Sequence, residues 1–420
     1  MRFLLLVIYN ILLAGLLPFI VARLYLKSLK NSAYRARIKE RFALIQAQEK
    51  PTIWLHAVSL GEARAALGLI KELIAKNYTL VVTTTTPTGA EVIAGLKDSV
   101  THYYMPYDLI LLTEIFLKKI QPKIALIMET EIWPSLYYCL HKNKIPLLIL
   151  NARLSMHSLR NLKLLSKAGL DINFAISKIL AQSKLDLENY KKLGISCDKL
   201  LLSGNLKYDA LVSAKALEFG KYLEREFGDR PVFVVGSTHH DEEMQILKLL
   251  PEILKRLPTF LLVLVPRHPE RFNSVAALIQ EQYKLVRRSE LGKVKVTSDV
   301  TVVLGDSMGE LLSYYYAGDV AFVGGSLVDV GGHNLLEPLM VNTPVITGSY
   351  LRNFSQMSDL LKTYHGIVCV SQAEEIIKIL LELFNEPQKR QLLLASGKKV
   401  VEANQGALST SIKVIESYLD

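Results

Sequence analysis

TIWLHAVSLGEARAALGLIKELIAKNYTLVVTTT (residues 52–85) decides the fold. Its two ends, TIWLHA (52–57) and YTLVVTTT (78–85), are near-continuous apolar and β-branched runs, the composition of strands buried on both faces. Between them, residues 61–76 read as an amphipathic helix with Ala66, Leu69, Ile70, Leu73 and Ile74 on one face. A buried strand, a helix and a second buried strand make one βαβ unit, which implies a parallel sheet. The alternation continues through KIALIM (123–128) and PLLILNA (146–152). It pauses at SGNLKYD (203–209) and a charged helical stretch (214–228), then restarts with PVFVVGS (231–237). FLLVLVP (260–266), VTVVLGD (300–306), VAFVGGS (320–326) and PVITG (344–348) follow. The expectation is an α/β protein of two doubly wound, Rossmann-like domains, residues 31–210 and 211–420, joined near 205–230 and preceded by a separate segment, residues 1–30. Ligands of open α/β sheets bind outside the carboxyl ends of the strands. Two such domains facing each other would form a cleft suited to group transfer between two large molecules.

Ahead of the first strand, FLLLVIYNILLAGLLPFIVA (3–22) carries no charge. Twenty helical residues span about 30 Å, one hydrocarbon core. Arg23, Lys27, Lys30, Arg35, Arg37, Lys39 and Arg41 follow, with only Glu40 against them. The chain of 420 residues has a formal net charge of +10, of which residues 1–50 hold +7 (nine Lys+Arg, two Asp+Glu). The other 370 residues hold only +3, so the folded body lacks the basic footprint of a nucleic-acid binder. A basic collar beside an apolar segment points instead to a membrane surface, with the body on the cytoplasmic side. The apolar core is too long for a signal peptide, and no small-residue cleavage site precedes the collar. A buried helix of a soluble protein is the other reading. Asn10, Gly15 and Pro18 leave open whether an anchor spans the bilayer or lies in its interface. Cys139, Cys197 and Cys369 are far apart and odd in number, supporting neither a disulfide framework nor a structural zinc site.

Six segments carry candidate chemistry, all at strand ends. In HAVSLGEARA (56–65), Glu62 opens a helix. It either complements the helix macrodipole or serves as a general base. METEIWP (128–134) places Glu129 and Glu131 after a strand, either as a solvated helix start or as carboxylates that orient an acceptor. PRHPER (266–271) offers Arg267 and His268 for phosphate contacts, or is an ordinary loop. GDSMGEL (305–311) has the S-x-x-E spacing of a capping box between Ser307 and Glu310. In GGSLVDVGGHNLLEP (324–338), glycines precede a helix expected at Asn334. Asn334 would cap it, with Glu337 at the third position, or the exposed N–H groups would take a phosphate. GSTHHDEE (236–243) contains His239 and His240, whose side chains diverge on a helix, so metal ligation is not expected. The chain has neither a P-loop nor G-x-G-x-x-G, which removes the usual signals for nucleotide hydrolysis and dinucleotide binding.

Taken together, the apolar N-terminus, HAVSLGE (56–62), TTTTPTGAE (83–91), METEIWP, NARLS (151–155), SGNLKYD, PRHPER, GDSMGEL and GGSLVDVGGHNLLEP resemble the Kdo transferases, the 3-deoxy-D-manno-octulosonic acid transferases of lipopolysaccharide assembly. They run in order along nearly the whole chain. The resemblance implies a GT-B glycosyltransferase on the cytoplasmic side of the cell inner membrane. It implies an acceptor-binding domain at 31–210 and a donor-binding domain at 211–420, with CMP-Kdo as donor and a lipid A precursor as acceptor. The position matching the family's base is Glu62, with Glu131 a second, less certain functional position. Lys207 is another such position, on the donor side. Positions matching the family's CMP site are Arg267, His268, Met308, Gly309, Glu310, Asn334, Leu335, Leu336 and Glu337. No metal or other cofactor is expected. Another GT-B transferase, a sugar-nucleotide epimerase and a membrane-anchored scaffold without activity are the rivals.

Overall fold

The structure, a computed structural model, describes residues 3–30, 32–96, 99–167, 169, 171, 173–209 and 212–419. Two compact units divide the chain. The first comprises residues 1–210 and 404–420, the second residues 211–403. The expected boundary between residues 210 and 211 falls on two residues outside the described set.

In unit 1, seven parallel strands are arranged in the order β3-β2-β1-β4-β5-β6-β7. They are β1 (Thr52–His56), β2 (Leu80–Thr84), β3 (Thr101–Tyr104), β4 (Pro122–Met128), β5 (Leu147–Ala152), β6 (Ile176–Ala181) and β7 (Leu200–Leu202). The in-register partners Ile53↔Leu80 and His56↔Thr83 join β1 to β2. Alternate residues of β1 feed two apolar layers, as the pleat requires. Trp54 packs with Phe116, Ile127, Leu140 and Ile149 on one side of the sheet. Ile53 and Leu55 pack on the other with Leu69, Ile70, Leu73 and Leu126. Leu69, Ile70 and Leu73 lie on the helix read between the first two strands, which runs over Leu60–Ala75 (α2).

Unit 2 repeats the plan with the order β10-β11-β9-β8-β12-β13-β14. Its strands are β8 (Val232–Thr238), β9 (Leu261–Pro266), β10 (Leu285–Arg287), β11 (Val302–Leu304), β12 (Val320–Val323), β13 (Val345–Thr347) and β14 (Val368–Cys369). Both sheets have all their strands parallel, and both show the GT-B plan of two Rossmann-like domains.

One expected boundary is corrected. Residues 404–419 do not continue the donor-side domain; they return to unit 1. The helix Ala407–Glu416 buries Ala407, Ile412 and Ile415 in the same apolar layer as α2. The Asp209 carboxylate fixes its start by accepting the Gly406 and Leu408 N–H groups, both at 2.7 Å.

The collar is corrected as well. Arg41 is buried, donates to the Thr85 carbonyl at 2.8 Å, and lies 4.6 Å over the Tyr104 ring. Arg37 is engaged with Glu40 and His102. These two guanidiniums tie the chain to the body, and Arg23, Lys27, Arg35 and Lys39 remain exposed.

Candidate active site

In unit 1, β1 and β4 are neighbours, and the chain leaves them for opposite flanks of the sheet. This is the topological switch point, where loops at the carboxyl ends diverge and leave a crevice. Glu62 follows β1, and Glu129 and Glu131 follow β4, so the strand order brings the three carboxylates to one corner.

Glu62 sits in the first turn of α2, whose N-cap is Ser59. One carboxylate oxygen accepts the Val58 N–H at 2.7 Å and the other accepts the Ser59 hydroxyl at 2.8 Å. Ser59 Oγ in turn accepts the Glu62 N–H at 3.3 Å. The helix-start reading of this segment is therefore geometrically correct. It leaves the carboxylate clamped in one orientation and 7% exposed, which a positioned base also requires. Burial raises the Glu62 pKa against the pull of the Ser59 and Val58 bonds, and the Glu129 charge raises it further. Glu131 is pushed up to about 7, by burial first and then by the charges of Glu62 and Glu129.

Glu129 has φ 58° and Asn151, in β5, has φ 51°. Left-handed backbone at a non-glycine residue costs about 1 kcal/mol or more and concentrates at functional sites. Nearby, the buried His56 is bonded through Nδ1 to Thr83 Oγ1 at 2.8 Å. Its pKa is lowered to about 4 by burial, so it is neutral at physiological pH. The Trp133 ring meets it edge-on at 6.3 Å. Pro134 begins the helix Pro134–Lys142, with Trp133 as its N-cap.

For a carboxylate acting as a base at this corner, the raised pKa values imply a pH dependence. A base works only when ionised, so kcat/KM falls as pH drops through its pKa. The acid limb is expected above the ordinary glutamate value of about 4.3. Glu129→Gln removes a charge that raises both neighbours, so the limb of that variant moves to lower pH. A pH–rate series on the two proteins checks this.

Lys207 lies in unit 1, in the short turn Leu206–Asp209 after β7, while the other residues matched to the donor site are in unit 2. Asn151 Oδ1 accepts the Leu206 N–H at 3.0 Å, holding that turn against the end of β5.

In unit 2 the switch point falls between β8 and β12. Sequence reading missed its central residue, Glu242. This carboxylate, 0% exposed, accepts four backbone N–H groups. They are Gly325 at 2.7 Å and His239, Ser326 and Leu327 at 3.0 Å each. It thereby staples the loop after β8 to the loop after β12. Gly324 is required there: a Cβ would sit 2.7 Å from the Ser237 carbonyl and 3.0 Å from Glu242 Oε2. Burial raises the Glu242 pKa and the backbone bonds oppose it.

His239 stacks on His333 with ring centroids 5.1 Å apart and Nε2 atoms at 2.8 Å. His268 meets His239 edge-on at 5.2 Å. The Arg267 N–H donates to the Thr238 carbonyl at 3.0 Å. PRHPER, GSTHH and GGHN thus converge, although they are up to 94 residues apart. His240 instead points to solvent and pairs with Asp241. Among the described residues, no group of three or more His, Cys, Asp or Glu is placed to hold a metal ion.

Two expected caps differ in detail. Ser307 and Glu310 do not form a capping box, because Glu310 is itself the N-cap of the helix Leu311–Tyr316. The Glu310 carboxylate accepts instead from the Ser307 hydroxyl and from Arg288, the latter at 2.9 and 3.0 Å, and Arg288 stacks 4.3 Å over Phe219. Met308 is exposed, and Gly309 adopts φ 80° beside open space. The helix expected at Asn334 runs over Leu336–Met340, with Leu335 as N-cap. Asn334 still accepts the Leu336 N–H at 3.1 Å and donates to Glu337 at 3.3 Å. Leu335 and Leu336 are wholly buried, so any donor contact there is through the main chain.

Comparison with known proteins adds the following. Residues 36–210 match the family described as 3-deoxy-D-manno-octulosonic-acid transferase (kdotransferase). The chain is 39% identical to a 3-deoxy-D-manno-octulosonic acid transferase of Haemophilus influenzae, over 98% of each chain. It is 29% identical to one of Bordetella pertussis, over 98% of this chain and 99% of the other. A UDP-GlcNAc 2-epimerase from Neisseria meningitidis bound to UDP-GlcNAc shares the fold (TM-score 0.58, 16% identity, 88% of this chain, 99% of that one). So does a glycosyltransferase from Rickettsia africae (TM-score 0.56, 16% identity, 89% and 100%).

Proposed function

Because the chain belongs to the 3-deoxy-D-manno-octulosonic acid transferase family, we propose that it moves Kdo from CMP-Kdo onto a hydroxyl of a lipid A precursor (lipid IVA), by inverting single displacement at the cytoplasmic side of the inner membrane. The observation that carries the mechanism is the clamped, mostly buried Glu62 carboxylate at the switch point of unit 1, its pKa raised by burial. A raised pKa makes the ionised carboxylate a stronger base. In the displacement, the acceptor oxygen attacks the anomeric carbon and Glu62 takes the hydroxyl proton. The bond to the phosphate oxygen breaks, and CMP leaves with the electron pair. Glu131 and its neighbours hold the acceptor hydroxyls.

Unit 2 supplies the groups for the phosphate and the nucleoside. Arg267 and His268 contact the departing phosphate and oppose its growing charge. Met308, Gly309 and Glu310 border the cytidine, and Glu337, held by Asn334, accepts from the ribose. Lys207 pairs with the carboxylate of the sugar. No step requires a metal or a further cofactor.

Incubation with CMP-Kdo and a tetraacylated lipid A precursor, followed by mass spectrometry of the lipid, tests the proposal. The expected product is heavier by a whole number of Kdo units, and absence of CMP release overturns the reading. On the donor side, Arg267→Ala removes a charged hydrogen-bond donor worth about 1.5–3 kcal/mol. CMP affinity is then expected to fall about 10–100-fold by calorimetry, with the thermal midpoint little changed.

A further inference from the structure

We propose that the N-terminal helix Phe3–Lys30 (α1) lies along the membrane surface, latched to unit 1 through Tyr9 and Asn10, and that its outer face is a docking surface for an anionic lipid leaflet. This rests on the membrane-associated reading above and gives it a geometry. By length and composition alone α1 could cross a bilayer, and its contacts argue for the other arrangement.

The first contact is a polar latch inside the apolar run. The Tyr9 hydroxyl donates to Asp108 at 3.0 Å. The Asn10 amide donates to Ser135 Oγ at 3.0 Å, and its carbonyl accepts the Ile110 N–H at 2.8 Å. Asp108 is itself buried and fixed by the Ser135 and Leu136 N–H groups at 3.0 and 2.8 Å. Asn10, which weakened a spanning reading from sequence, is therefore spent on the body of the protein. Hydrocarbon offers such groups no partner, so a spanning α1 would carry Asp108 and its surroundings into the bilayer with it.

The second observation is a stripe of lower exposure along the helix. Leu6, Asn10, Leu13, Leu17, Leu24 and Ser28 are less exposed than the residues opposite them, and recur at the three- and four-residue spacing of one helix face. From Leu6 to Ser28 that stripe is about 33 Å long. Near its far end Val21, Tyr25 and Leu26 line a groove with Phe42. The Phe42 ring meets Tyr107 at 5.4 Å, next in sequence to the Asp108 that holds Tyr9. One patch of unit 1 therefore borders both halves of α1, whereas a spanning helix would carry those halves into opposite leaflets.

The opposite face is apolar and open. Ile8, Ile11, Leu12, Phe19 and Leu29 are exposed, Phe19 at 73%. Arg23, Lys27 and Arg35 are exposed at the carboxyl end. An apolar face flanked by basic residues suits burial about 5–10 Å into a headgroup boundary, with each basic residue adding about 1 kcal/mol on an anionic leaflet.

The test uses the full chain with an N-terminal epitope and three single variants, Ile11→Trp, Phe19→Trp and Leu29→Trp. Each is bound to phosphatidylglycerol vesicles containing lipids brominated at shallow or deep positions, with the unsubstituted chain as background. The expected result is similar quenching at all three positions, strongest with shallow bromines. The epitope should also be digested on inverted inner-membrane vesicles. Preferential deep quenching of Phe19→Trp, or a protected epitope, overturns the in-plane arrangement. A protein that turns over detergent-dispersed acceptor yet does not bind the vesicles overturns the docking surface while the proposed reaction stands. Loss of turnover with the shallow profile intact refutes the reaction alone.

Discussion

Glu62→Gln is expected to lower kcat by about 10²–10⁴-fold, the usual contribution of a positioned acid or base, with CMP affinity unchanged. The amide is nearly isosteric and retains one carbonyl oxygen for the Val58 N–H or the Ser59 hydroxyl. The cap is weakened rather than lost, at a cost of about 1 kcal/mol or less. The variant should therefore fold, which separates chemistry from stability. The acid limb of its residual pH–rate profile should also flatten, because the group that titrates is gone. Steady-state kinetics beside calorimetric titration with CMP reads both, and a folded, CMP-binding Glu62→Gln enzyme with wild-type turnover removes Glu62 as the base.

Glu242→Ala is expected to have the largest effect on stability. Its removal leaves the N–H groups of His239, Gly325, Ser326 and Leu327 without their shared acceptor. Each buried, unsatisfied donor costs about 1–3 kcal/mol, so the sum is on the order of 4 kcal/mol or more. A domain typically has about 5–15 kcal/mol in total. Urea unfolding of the variant should show unit 2 opening at much lower denaturant, with CMP binding lost. Glu242→Gln, which keeps one acceptor oxygen, should fall between. An unchanged urea midpoint for Glu242→Ala would show that the staple carries no load.

Much of the fold could be read from the sequence because its strands are buried on both faces. TIWLHA and YTLVVTTT cannot alternate with polar residues, and that absence announces a parallel sheet covered by helices. Once the strands are placed, Glu62, Glu131 and Arg267 follow from the rule that ligands meet strand carboxyl ends. What could not be read depends on contacts distant in sequence. Glu242 sits in a run of charges that resembles any helix start, and three of its four partners lie more than 80 residues away. The His239–His333 stack and the bonds from Tyr9 and Asn10 to residues near 108–135 are equally remote. Local spacing also misassigned Ser307 and Glu310, because the same S-x-x-E pattern serves equally well just ahead of a helix whose glutamate has a guanidinium partner. The last helix shows the limit of reading domains as consecutive blocks. Its apolar face matches α2, hundreds of residues upstream, and no local signal says so.

That last helix has a consequence for biogenesis. The first core is closed by Ile412 and Ile415, so unit 2 is, in chain order, a folded insert within unit 1. During synthesis the amino-terminal sheet must wait, with part of its apolar layer uncovered, until the entire insert has emerged from the ribosome and the terminal helix is free to dock. Damage to the final turns of the chain would then register as misfolding of the half made first, the half that carries Glu62.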